Sequence, residues 1–208
     1  MRASAPAVSY RDTVTGNAQV TYRHVRQNSG PGQFAVVTVK VAPSPAGAGV
    51  SFVDGVERGV IPAEFIPAVE RGARAALERG VREGVPVVDV EVTLLDGLTH
   101  SVDSSPMAFE VAASLAVQQA VERAGLCRLE PVARAQVTVP ESFLGPALGE
   151  VASRRGAVQG VSTVGPVCVI EARVPIARTF GFVTSLRSRT EGRGSVSLSH
   201  AGFEPVKA

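Results

Sequence analysis

His100, Asp103, Ser104 and Ser105 fall within one short stretch, His100-Ser101-Val102-Asp103-Ser104-Ser105. An imidazole, a carboxylate and two hydroxyls are the parts of a nucleophilic triad, and equally of a hydrogen-bonding surface. Ser105 is followed by Pro106, a strong helix start: a hydroxyl N-cap, then proline where its missing N–H costs nothing. The free N–H groups at such a start suit an anion such as a phosphate. A small hydrolase using His100, Asp103 and Ser104 would also need an oxyanion hole and a substrate pocket. The chain has no Gly-x-Ser-x-Gly elbow and no catalytic cysteine signature. An exposed loop histidine needs no chemistry at all.

Other chemistries find less support. No Walker A sequence is present, and neither Lys40 nor Lys207 follows a Gly-rich loop, so nucleotide hydrolysis within this chain is not expected. His24, His100 and His200 have no ligand-like spacing to Cys127 or Cys168, so no metal site is expected. The two cysteines sit far apart in apolar surroundings and read as small buried hydrophobes of a reducing cytoplasm rather than as a disulfide framework. No apolar run approaches the roughly 20 residues of a membrane span, and the N-terminus lacks the apolar region of a signal peptide.

The elements that position the loop follow from periodicity. Val88, Val90, Val92 and Leu94 alternate with polar residues, which predicts a strand over 87–95, broken by Asp96-Gly97. A helix then runs from Pro106 to about Ala124, burying Phe109, Ala113, Ala116 or Val117 and Ala120, with Gly125 as its cap. Upstream, extended structure over 8–26 and 34–41 forms a hairpin. Its tip is the turn cluster Gln27-Asn28-Ser29-Gly30-Pro31-Gly32-Gln33. A short strand is expected at 51–53. A helix is expected from Ile61 to Gly80, with Phe65, Val69, Ala73, Ala76 and Leu77 on one stripe.

After a linker at 127–131 comes a second unit. Strand 135–139 leads to helix 143–155, then hairpin 158–164/167–174 through Gly165-Pro166. A helix 176–189 follows despite Gly181, and a last strand 194–199 points Val196 and Leu198 inward. That order, βαββαβ, is the split pattern of ferredoxin-like domains. The fold class is α+β, with two domains, 1–127 and 128–208.

Composition agrees with two packed domains: 45% of the 208 residues are hydrophobic and mean hydropathy is +0.18. The net charge of +2 is unevenly placed. Residues 1–127 hold 11 Lys+Arg against 13 Asp+Glu; residues 128–208 hold 10 against 6. Almost all the cations are arginine, which suits forked phosphate contacts. Taken singly, Arg154-Arg155-Gly156 reads equally as a cationic helix end, and Arg187, Arg189 and Arg193 as a solvated face.

Together these stretches resemble the C-terminal part of translation elongation factor G, the bacterial translocase family, over essentially the whole chain. Ser9-Tyr10-Arg11-Asp12-Thr13 is similar to the family's YRET entry into domain IV, and Gln27–Gln33 to its QxGGxGQ loop. Gly59-Val60-Ile61-Pro62 with Pro67-Ala68-Val69 follows GGxIP and PAV, and His100–Ser105 follows HxVDSS. Leu129-Glu130-Pro131 matches the LEP entry into domain V. Arg154-Arg155-Gly156 matches RRG, and Leu186-Arg187-Ser188 with Thr190-Glu191-Gly192-Arg193 matches LRSxTxGR.

The resemblance implies an S5 domain 2-like βαβ domain IV, then a ferredoxin-like domain V. It implies a cytoplasmic, RNA-binding, ribosome-binding module acting in tRNA–mRNA translocation during protein biosynthesis. The domain IV tip would enter the A site and touch the tRNA–mRNA duplex; domain V would meet ribosomal RNA of the large subunit. The implied RNA-binding residues are Ser29, Gly30, Gly32, Gln33, His100, Asp103, Ser104 and Ser105 at the tip, and Arg154, Arg155, Arg187 and Arg193 in domain V. No enzyme activity and no cofactor are expected in this chain: GTP would bind the family's GTPase domain, which could be a separate partner. The alternative is a divergent ribosomal-protection or regulatory paralogue that binds the ribosome without translocating.

Overall fold

The computed structural model describes residues 8–27 and 32–206. Two compact units emerge. One is Arg11–Arg128; the other holds the chain from Leu129 onward together with residues 8–10.

The first unit begins with β1 (Arg11–Val14), β2 (Ala18–Arg26) and β3 (Gln33–Pro43). β2 and β3 pair antiparallel, Ala18 opposite Val41 through Arg26 opposite Gln33. The expected antiparallel pairing is therefore present, and it extends to Arg26 and Gln33. β4 (Val50–Asp54), α1 (Ile66–Arg79) and β5 (Val90–Leu98) follow. β4 runs parallel to β5, so α1 is a crossover helix of a βαβ unit. The sheet order is β2-β3-β5-β4. α2 (Pro106–Ala124) packs on β2, β3 and α1.

Residue choice explains this packing. α1 buries Val69, Ala73, Ala76 and Leu77, the expected stripe, and Phe65 caps its start with its ring stacked on Phe109 at 4.9 Å. α2 buries a wider face than one stripe, because it meets both the sheet and α1; Ala108, Ala112, Ala113, Ala116 and Ala120 let those neighbours approach. α1 comes close to α2 at Gly72, where a Cβ would lie 2.2 Å from the Glu110 carbonyl oxygen. Pro67 sits in the first turn of α1, where its missing N–H is harmless.

Three expectations are corrected here. The helix expected from Ile61 starts at Ile66, after a turn. The strand expected over 87–95 is displaced to Val90–Leu98, and Asp96-Gly97 lies inside it. Gly97 is there for space, not for a turn: a Cβ would lie 2.5 Å from Ile61 Cδ1 and 2.6 Å from the Val36 carbonyl oxygen. Opposite it, the β3–β5 register slips between Thr38 and Val39, a bulge that leaves Leu95 without a partner.

The second unit is built on β6 (Leu126–Pro140), α3 (Leu144–Ser153), β7 (Ala157–Val164), β8 (Val167–Pro175), α4 (Phe182–Arg189) and β9 (Ser195–Pro205). β6 carries β8 on one side and β9 on the other, with β7 on β8. In the unit's own numbering the strand order is 4-1-3-2, as the split βαβ pattern requires. The buried core gathers Ala135, Val137, Val139, Cys168, Ile170 and Val174 from the sheet, with Val151, Phe182 and Leu186 from the helices.

The expected 127–131 linker is instead continuous strand, since β6 begins at Leu126 and Pro131 is accommodated beside a register shift opposite β9. The helix expected over 176–189 is two pieces, a single 3-10 turn at Ile176–Arg178 and then α4, because Gly181 adopts φ 69° and starts α4 anew. Leu198 is 40% exposed rather than inward. Both cysteines are free thiols; Cys168 is buried, while Cys127 is only half-buried.

Candidate nucleic-acid interface

The first cluster lies where the β2–β3 hairpin end meets the loop between β5 and α2. Phe34, the second residue of β3, donates its N–H to the Asp103 carbonyl (2.8 Å). The Ser104 hydroxyl donates to the Phe34 carbonyl (2.7 Å). The loop is thus zipped to the start of β3 by two bonds between distant parts of the sequence. The same hydroxyl accepts the His100 N–H (2.8 Å), and the Ser104 N–H reaches the His100 carbonyl (3.2 Å), closing the loop on itself. Gly32 belongs to this contact, since a Cβ there would stand 2.7 Å from Asp103 Oδ1.

His100 Nδ1 lies 3.4 and 3.3 Å from the Val102 and Asp103 amides and 3.3 Å from Asp103 Oδ2. As an acceptor it serves the amides; protonated, it serves the carboxylate. Either state commits Nδ1 to the loop and leaves Nε2 for an outside partner. The imidazole lies 5.9 Å from the Phe34 ring, and the Arg23 guanidinium sits 5.7 Å from that same ring. Gln33 Oε1 is anchored at 2.9 Å by Nε2 of buried His24.

Ser105 caps α2 by accepting the Ala108 N–H (3.2 Å), and its carbonyl accepts the Phe109 N–H. With Pro106 lacking an N–H, this leaves, among the described residues, the Met107 amide alone for an anion at this helix start. The triad reading fails on geometry: the Ser104 proton is spent on a backbone carbonyl, and the His100 ring makes no bond to Ser104 Oγ. Ser29 and Gly30, named for the tip, lie outside the described residues, as does Pro31.

In the second unit the four named arginines differ. Arg154 is largely enclosed: Nε donates to Glu150 Oε1 (2.7 Å), and Nη1 donates to the Arg178 and Phe180 carbonyls (2.6 and 2.8 Å). Its guanidinium also lies 4.8 Å over the Phe182 ring. Arg155 adopts φ 58° where the chain leaves α3, and Nη2 lies 3.6 Å from Glu130 Oε1. Arg187 is exposed on the last turn of α4. Arg193 is exposed too, 3.5 Å from Glu191 and 5.6 Å from the Phe143 ring.

Sequence reasoning missed Glu150. It is 2% exposed and pairs with both Arg154 and Arg189. Burial pushes its carboxyl up, but hydrogen bonds from Arg154 and Ser185 and the charges of Arg154 and Arg189 outweigh burial and hold it below the usual carboxylate range. It also missed Arg23, Phe34 and His24 at the tip. The alternation of β2 was the signal for two of them, since it sets Arg23 on the polar face and aligns His24 with Val20 and Tyr22. Among the described residues no cluster of three metal-ligating side chains occurs, and no helix is long and apolar enough to cross a membrane.

A βαβ-containing sheet domain followed by a ferredoxin-like sheet defines a class: a two-domain α+β module. The family model for elongation factor G, domain IV, matches residues 6–125, and that for the elongation factor G C-terminus matches residues 127–208. The chain belongs to the elongation factor G family. A crystal structure of a protein from Thermus thermophilus is similar to it at 32% identity with a TM-score of 0.86. The match covers 98% of this chain and 30% of that one, so the chain spans under a third of that protein's length.

Proposed function

We propose that this chain is a ribosome-binding module acting in translocation of the tRNA–mRNA duplex in the cytoplasm. The first unit's tip would touch the duplex in the A site; the second unit would rest on ribosomal RNA. The observation that carries this reading is the loop between β5 and α2, zipped to the start of β3 at Phe34 by Asp103 and Ser104. It presents the Gly32 backbone, the His100 imidazole and the Met107 amide of the helix start from a hydrogen-bonded base. Such groups contact an RNA backbone without reading its sequence, which a protein serving every codon requires. The second unit supports it with exposed Arg187 and Arg193, suited to phosphate. On this reading GTP chemistry belongs to a GTPase domain and not to these residues.

The test is sedimentation of the chain with purified ribosomes at low and raised salt. Binding should weaken steeply with salt, and His100→Ala should weaken it further without lowering the thermal midpoint. Absence of ribosome association at low salt would refute the proposal.

A further inference from the structure

The Gln33 side chain stands at the tip, but a residue on the neighbouring strand sets its orientation. β2 and β3 pair so that His24 lies opposite Ala35, and Arg26 opposite Gln33. His24 and Gln33 are therefore diagonal neighbours on one face of the pair, within reach of long side chains. Ala35 carries only a methyl group, which leaves the diagonal open. Across it His24 Nε2 meets Gln33 Oε1 at 2.9 Å.

Two arrangements of protons could join these side chains. With the ring proton on Nε2, the imidazole donates to the carboxamide oxygen and the Gln33 NH2 is left free. With the proton on Nδ1, the amide would turn over, donate its NH2 to Nε2, and leave its oxygen free. Burial decides between them. His24 is only 6% exposed, and Nδ1 makes no hydrogen bond among the described residues. A lone pair tolerates such a site. An N–H there would be a donor nearly shut off from water and without an acceptor, which is the rarer and costlier defect. The proton therefore belongs on Nε2. Gln33 is half-buried, and its NH2 bonds to no described residue.

We propose that His24 is a positioning residue for RNA binding: it holds the Gln33 carboxamide with its NH2 free, so that the tip offers a fixed, uncharged donor to an acceptor oxygen of an RNA backbone. Phosphate oxygens accept and do not donate, so an amide turned the other way would present them with a second acceptor. A donor aimed at the backbone also reads no base. The inference rests on the reading of the tip as an RNA contact. It adds which atom of Gln33 makes that contact and which residue holds the atom in place.

The test begins with the free full chain. Nitrogen-15 NMR of the neutral His24 ring should show the proton on Nε2 and Nδ1 bare. Binding to purified ribosomes is then measured for a set of variants. His24→Phe keeps a buried ring and removes the donor, so affinity should fall about fivefold, as for one lost hydrogen bond. Gln33→Ala should lose about the same. The double variant should again lose about fivefold, not the roughly twenty-fivefold of independent sites. His24→Gln restores a donor and should recover most of the affinity, and it keeps the test open if His24→Phe does not fold. The salt slope should stay the same throughout, since no phosphate-neutralising charge is removed. A proton on Nδ1, additive losses in the double variant, a changed salt slope, or no recovery in His24→Gln would each overturn the role of His24. Ribosome binding with any of these results leaves the functional reading intact. Wild type that does not bind ribosomes overturns the functional reading, and with it the RNA role of Gln33, whatever the tautomer.

Discussion

Replacing Ser104 by alanine tests whether the tip is held as its bonding implies. The hydroxyl donates to the Phe34 carbonyl at 2.7 Å and accepts the His100 N–H at 2.8 Å. Each bond is worth about 0.5–1.5 kcal/mol net. His100 is exposed and its amide can turn to water, so the lower half of the combined range applies, about 1–2 kcal/mol, or about five- to thirtyfold in the loop-opening equilibrium. The loss should be local, since the Asp103 carbonyl keeps the Phe34 N–H. Amide hydrogen exchange should therefore quicken most at His100 and less at Phe34, with little change in the global unfolding midpoint. Ser104→Thr keeps the hydroxyl and should restore slow exchange. Ribosome affinity should fall in the alanine variant and recover in the threonine variant. Unchanged exchange at His100 in Ser104→Ala would refute the reasoning, because the acceptor assigned to that amide would have been removed without effect.

Further outcomes follow from the same geometry. Arg187→Gln should weaken ribosome binding and lower its salt slope by about one while leaving the thermal midpoint unchanged, whereas Arg154→Gln should lower the midpoint, since its donors hold Glu150 and two carbonyls. Glu150→Ala should cost about 3 kcal/mol in urea unfolding, as for a buried ion pair that loses one partner. Because the folded carboxyl of Glu150 is depressed, its stabilisation is present above the ordinary value of 4.5 and is lost as pH falls through and below it; acid denaturation of wild type should therefore fall more steeply in that window than that of Glu150→Gln. Gly97→Ala should destabilise by about 1–3 kcal/mol in thermal unfolding, the range for overpacking, since the new methyl meets Ile61 and a backbone carbonyl.

Period-two and helical patterns make most elements legible, and α2 runs from Pro106 to Ala124 as its cap residues imply, because those signals are local. Most of the failures share one cause, a local signal overruled by a distant neighbour. Asp96-Gly97 has the composition of a turn, yet Gly97 is a strand residue whose missing side chain makes room for Ile61. Pro131 has the character of a linker residue, yet β9 is there to pair with β6 and carry the strand through. Gly181 is the opposite case. It sits inside a helical pattern, and there the local rule holds, since a positive φ ends the 3-10 turn and starts α4.

The arginines make the limit sharper. Sequence counts charges but not acceptors, so Arg154 and Arg187 look alike in it. In the fold, Arg154 faces a buried carboxylate and two carbonyls, and Arg187 faces solvent. Part of that difference is readable, because Glu150 precedes Arg154 by four residues, the spacing of facing side chains on a helix. An arginine with a carboxylate one turn before it is the poorer candidate for phosphate. Arg187 has no acid at that spacing, since Val183 stands there, and Arg193 lies beyond α4, beside the exposed Glu191. On the proposed function, an RNA contact of the second unit is to be sought on Arg187 and Arg193, with Arg154 holding the turn that enters α4.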